Sequence, residues 1–110
     1  MLQRAENFMA QGVKKYKRFQ YPAARTKFIM ALHEYQSFNE KKGVARSRLN
    51  LARIALNLGE LEETKTQLLL ARKIIDKQQL TQLAQYEDII ASSLLIKQKK
   101  YDQAEELLAP

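Results

Sequence analysis

The 110-residue sequence predicts an all-α fold in which antiparallel helical hairpins stack into a solenoid. Two observations carry this prediction. Residue types recur every 40 positions: Gly12, Ala52 and Ser92; Tyr21, Leu61 and Tyr101; Ala24, Thr64 and Ala104; Phe28, Leu68 and Leu108. Small residues recur where one helix must pass close to another, and large apolar ones recur where a gap must be filled. A fixed period of this length marks hairpins that bury their apolar faces only by stacking. The second observation is composition, since 3 Gly and 2 Pro leave few places to turn and long stretches free to stay helical.

The pattern divides into six helices, paired as repeats over roughly 1–38, 39–77 and 78–110 of a single domain. The first helix runs from Leu2 to Arg18, with Phe8, Gly12 and Tyr16 at i, i+4 and i+8 on one face. Lys14, Lys15, Lys17 and Arg18 complement the negative end of its dipole. Phe19-Gln20-Tyr21 forms a turn, and Pro22 suits a first helical position. Helix two carries Ala24, Phe28, Ala31, Leu32 and Tyr35. Asn39 is read as the cap of helix three, which Gly59 ends. Helix four spans Leu61 to Lys77. Thr81 is read as the cap of helix five over 82–97, and a short sixth helix follows from Asp102 to Ala109. A final helix with apolar Leu107 and Leu108 lacks the polar outer face of a terminal repeat. It therefore predicts a longer protein, or an end covered by a partner or a second copy.

Apolar residues at 45% and charged residues at 28% are an ordinary balance for a soluble globular domain. No cysteine is present, which excludes a disulfide framework and thiolate zinc sites. No apolar run approaches the ~18 residues that span a bilayer. With Arg4, Glu6 and Gln11 inside its first turns, the N-terminal stretch is not expected to act as a signal peptide. The expectation is a soluble chain, cytoplasmic before exported with its signal removed. Charge is uneven. Residues 1–53 hold twelve Lys/Arg against Glu6, Glu34 and Glu40, whereas residues 54–110 hold seven against nine acids. The basic half draws anionic partners through a long-range field that salt weakens.

In these residues the chain resembles a tetratricopeptide repeat protein with repeats lengthened to about 40 residues. Repeat one answers the family pattern with Phe8, Gly12, Ala24 and Phe28. Repeat two offers Leu51-Ala52, the turn Leu58-Gly59-Glu60-Leu61, then Thr64 and Leu68. Repeat three offers Ser92, the turn Lys99-Lys100-Tyr101-Asp102, Ala104 and Leu108. Arg48 and Asp88 depart from it by standing where the family prefers large apolar residues. The resemblance implies a right-handed α-α superhelix of three antiparallel helical hairpins. It also implies a non-catalytic scaffold that holds a peptide or helix of a partner protein in a concave groove.

Carried over by position, that groove takes Met9, Val13, Tyr16 and Lys17 from the first helix. The third helix gives Arg46, Leu49, Asn50, Arg53, Leu56 and Asn57, and the fifth Tyr86, Ile89, Ser93, Ile96 and Lys97. Arg46 and Arg53 have the fork geometry for a carboxylate, so the partner is expected to be acidic. Asn50 and Asn57 suit a peptide backbone, and Tyr16 and Tyr86 are usual hot-spot types. Leu49, Leu56, Ile89 and Ile96 also read as core. The family's clamp for chaperone tails is not expected, because only Asn50 matches it, while Met9, Val13, Tyr86 and Ile90 occupy its other positions. No cofactor or metal site is expected either. His33 is the one histidine, and Glu62-Glu63, Glu87-Asp88 and Glu105-Glu106 are adjacent residues that split across two helix faces. Nucleic-acid binding through the basic half is the alternative, and the absence of interleaved exposed aromatics weighs against it. Self-assembly through the C-terminal face is a third reading.

Overall fold

Four helices run into a residue held in the left-handed region, and those residues fall 20 positions apart: Phe19, Asn39, Gly59 and Gln79, with φ of 61°, 53°, 76° and 55°. The computed structural model describes residues 1–108. It contains α1 (Gln3–Lys17), α2 (Tyr21–Ser37), α3 (Lys41–Asn57), α4 (Leu61–Gln78) and α5 (Thr81–Leu108), with no strand among the described residues. Each of the four turns closes in the same way. The amides of Gln20, Glu40, Glu60 and Leu80 donate to the carbonyls of Lys15, Tyr35, Ala55 and Ile75 at 2.8–3.0 Å. This six-to-one bond satisfies a carbonyl the helix would otherwise leave orphaned. Asn39 is therefore the left-handed residue that ends α2, rather than the cap of α3. That cap is Glu40, whose carboxylate accepts from the amides of Gly43 at 2.7 Å and Lys42 at 3.2 Å. Thr81 likewise lies inside α5, since the chain already turns at Gln79.

A left-handed conformation costs a residue with a Cβ roughly 1–2 kcal/mol. Gln79 is exposed and bears that cost without packing in return. Gln79→Gly is therefore expected to stabilise the fold by about 0.5–1 kcal/mol, the strain relief less the extra entropy of an unfolded glycine. Chemical denaturation checks this, and an unchanged or lower midpoint would contradict it.

Each helix packs on its chain neighbours, and α3 also meets α5. The core consists of two apolar clusters that meet at α3. Val44, Leu51 and Ile54 join Ala5, Met9, Phe28 and Tyr35 in one cluster. Ala45, Leu49, Ala52 and Leu56 join Leu68, Ile75, Ile90 and Leu94 in the other. Glycine permits the two closest approaches. A Cβ on Gly12 would stand 2.7 Å from Cδ1 of Phe28, and one on Gly43 would run into the ring of Tyr35.

The predicted third hairpin is not formed. Helices five and six are one continuous helix, and Lys99-Lys100-Tyr101-Asp102 is part of it; Ala109 and Pro110, where the sixth helix was expected to end, lie outside the described residues. Two causes are visible in the 40-residue register. Gly59 stands at φ 76°, whereas its counterpart Lys99 is helical and keeps the turn in regular hydrogen bonding. In addition, the Arg25 guanidinium pairs with Glu60 at 2.7 Å and ties the first repeat to the second. The same two columns one repeat later hold Lys65 and Lys100, two cations that repel. The returning columns Tyr101, Ala104 and Leu108 are consequently exposed, as is Ser92, although Gly12 and Ala52 in its column are buried. The projecting helix stretches the molecule to 58 × 31 × 19 Å. Its 15.0 Å radius of gyration exceeds the ~13 Å of a compact chain this long.

Candidate functional site

Side-chain hydrogen bonds tie α1, α3 and α5 into one polar band. Asn50, on the middle helix, reaches both neighbours: its amide nitrogen donates to the sulfur of Met9 at 3.2 Å, and its oxygen accepts from the Tyr86 hydroxyl at 3.2 Å. Two turns along, Asn57 donates to the Tyr16 hydroxyl at 2.7 Å and to the Arg53 carbonyl at 2.9 Å. Lys97 closes the band by donating to the Leu56 carbonyl at 2.7 Å. Three of these links join residues 41 positions apart. Each of those links spans one repeat period of 40 residues plus one position.

Arg53 stands at its centre. Its guanidinium lies 4.2 Å above the Tyr16 ring and 5.9 Å from that of Tyr86, to whose hydroxyl it donates at 3.1 Å. One face of the fork is therefore stacked and oriented, which lowers the entropy lost when the remaining donors meet an anion. Arg46, one column away on the same helix, is exposed. Among the described residues no carboxylate pairs with Lys17, Arg46, Arg53 or Lys97; the ion pairs are Arg4–Glu34, Arg25–Glu60, Lys65–Glu62 and Arg72–Glu87.

The remaining sequence-predicted positions divide sharply. Met9 (3% exposed), Leu49 (0%) and Leu56 (7%) are core, so no partner can touch their side chains. Val13 is half-buried against the first cluster, and Lys17 is exposed. Ser93 spends its hydroxyl on the Ile89 carbonyl at 3.0 Å. Ile89 and Ile96 share columns with buried Leu49 and Leu56, yet are 64% and 58% exposed because no sixth helix folds back over them. His33 is exposed on α2. Sequence reasoning missed the buried carboxylate of Glu87, which Arg72 holds through Nε at 3.1 Å and Nη2 at 3.3 Å. Their positions on different helices left no spacing signal.

No family model, curated protein or solved structure matches this chain.

Burial pushes the Tyr86 hydroxyl above the ordinary tyrosine range, against the opposing charge of Arg53. Burial does the same to Tyr35, with Arg46 opposing and Glu6 and Glu40 adding to the rise. Both groups hold their protons more tightly folded than unfolded. Their stabilisation is complete below the unfolded value of about 10 and is lost as pH rises through the folded values. Phenolate absorbance should show Tyr35 and Tyr86 ionising only above the ordinary tyrosine range, together with loss of helical circular dichroism. Complete ionisation with the helices intact would contradict this.

Proposed function

We propose that this chain is a tetratricopeptide-like, non-catalytic protein–protein interaction module that holds an acidic peptide or helix of a partner along the face of α1, α3 and α5. The observation that carries the reading is the band itself, three helices cross-tied around an arginine whose stacked fork has no carboxylate of its own. Arg46 and Arg53 lie seven residues apart, about 10.5 Å along the helix axis. That spacing matches acidic side chains two turns apart on a partner helix, or three residues apart on an extended strand. Salt-sensitive encounter and a bidentate grip follow from the chemistry.

A random-peptide display selection tests this directly. Recovered peptides are expected to be rich in Asp and Glu at that spacing, and the Arg46→Glu, Arg53→Glu double variant is expected to bind them at least tenfold more weakly. Losing the Arg53 stacking removes no more than about 1 kcal/mol of stability at this exposed site. Equal binding by a folded double variant would overturn the assignment. A second reading, an anionic polymer gripped by the basic half, draws on one observation: Lys14, Lys15, Arg18 and Lys27 line a single cleft with Gln11. DNA or RNA affinity with a steep salt dependence, lost on charge reversal in that cleft, would favour it.

A further inference from the structure

The projecting half of α5 carries a charge order that complements itself only in reverse. From Leu95 the helix reads two apolar residues, three cations (Lys97, Lys99, Lys100), three acids (Asp102, Glu105, Glu106), and two apolar residues again, Leu107 and Leu108. Leu95, Ile96, Leu107 and Leu108 are 69%, 58%, 86% and 84% exposed, and among the described residues no other element covers them. Such a run laid parallel on a second copy sets like charge on like. Laid antiparallel about a two-fold axis between Tyr101 and Asp102, it sets Ile96 beside Leu107 and Lys100 beside Gln103. Lys99 then falls between Asp102 and Glu106 of the other copy. At 100° per residue, Ile96, Lys100, Gln103 and Leu107 fall within one stripe about 60° wide, so a single straight helix face presents the seam.

We propose that α5 is a homodimerisation element in which the Leu95–Leu108 segments of two copies pair antiparallel across a two-fold axis. Such an isologous contact closes on itself and does not propagate into a filament. It is independent of the polar band, because none of the seam residues Ile96, Lys99, Lys100, Gln103 and Leu107 belongs to it. The overlap is about 21 Å of helix. A seam so short falls below the ~1,200 Å² of a stable interface. The dimer is therefore weak, in rapid exchange, and loosened by salt because facing ion pairs hold it in register.

Sedimentation equilibrium of the full chain over a wide concentration range reads this out. The mass is expected to climb from one chain to two, with the dissociation constant rising several-fold in high salt. Lys99→Glu with Lys100→Glu makes one variant, and Asp102→Lys with Glu106→Lys another. Each should be monomeric alone, with circular dichroism confirming intact helices, and an equimolar mixture should recover a heterodimer. A wild-type chain that stays monomeric throughout would overturn the proposal. So would charge-reversed variants that self-associate as tightly as wild type, or a mixture that remains monomeric.

Discussion

Phe28→Ala is expected to cost about 3–5 kcal/mol, a large share of the ~5–15 kcal/mol that holds a domain of this size together. Phe28 is 1% exposed and lies in the first core cluster, with its ring filling the space left by the missing Cβ of Gly12. The repeat supplies a sharper version of the experiment. Where the first repeat pairs Gly12 with Phe28, the second pairs Ala52 with Leu68 in the same columns. Gly12→Ala alone drives a methyl into the ring, and overpacking of that kind costs about 1–3 kcal/mol, offset by about 1 kcal/mol of helix propensity. Phe28→Leu alone leaves a cavity. Made together, the two changes install the pair that the second repeat already uses. The double variant is expected to lie well above the sum of the singles, with a coupling of about 1–2 kcal/mol. Urea denaturation of the four proteins measures it, and strict additivity would mean that the columns are not interchangeable.

Leu49→Ala is expected to lose about 2–5 kcal/mol, while Leu107→Ala changes stability by less than about 0.5 kcal/mol. Both leucines resemble interaction residues on paper, one at a groove position and one near the final described turn. Their surroundings differ completely. Leu49 is 0% exposed in the cluster that joins α3, α4 and α5, whereas Leu107 is 86% exposed. A near-neutral Leu49→Ala would return that residue to the binding face, and denaturation midpoints of the two variants decide the matter.

Helix placement was legible in the sequence because the packing columns, Gly12 with Ala52 and Phe28 with Leu68, report directly on close approach. Turns were legible only where glycine or proline marks them, at Gly59 and Pro22. Phe19 and Gln79 adopt the left-handed conformation without a residue that announces it. The third hairpin was misread for a related reason. Tyr101, Ala104 and Leu108 repeat the apolar columns faithfully, but folding back also needs the cross-repeat tie that Arg25 makes with Glu60, and two lysines stand there instead. Among the candidate site residues carried over from the resemblance, Tyr16, Asn50, Arg53, Asn57, Tyr86 and Lys97 lie along one band of side-chain hydrogen bonds. Their chemistry was less visible. Asn50 and Asn57, read as donors for a peptide backbone, are already bonded to Met9 and Tyr16. Leu49 is buried because α3 is sandwiched between neighbours and has little free surface, and Met9 is buried because α1 turns it into the first core cluster. Such a fact belongs to the assembly of helices rather than to any one of them.

The four matched turns have a practical consequence for length. Every helix from α1 to α4 occupies a 20-residue stride and closes with the same backbone bond, so the chain is graduated like a ruler. A copy of residues 41–80 inserted after Leu80 adds two strides and returns every downstream helix to its original phase. Such an insertion is expected to lengthen the molecule by one hairpin while reusing the turn geometry already present, so that reach becomes a matter of counting.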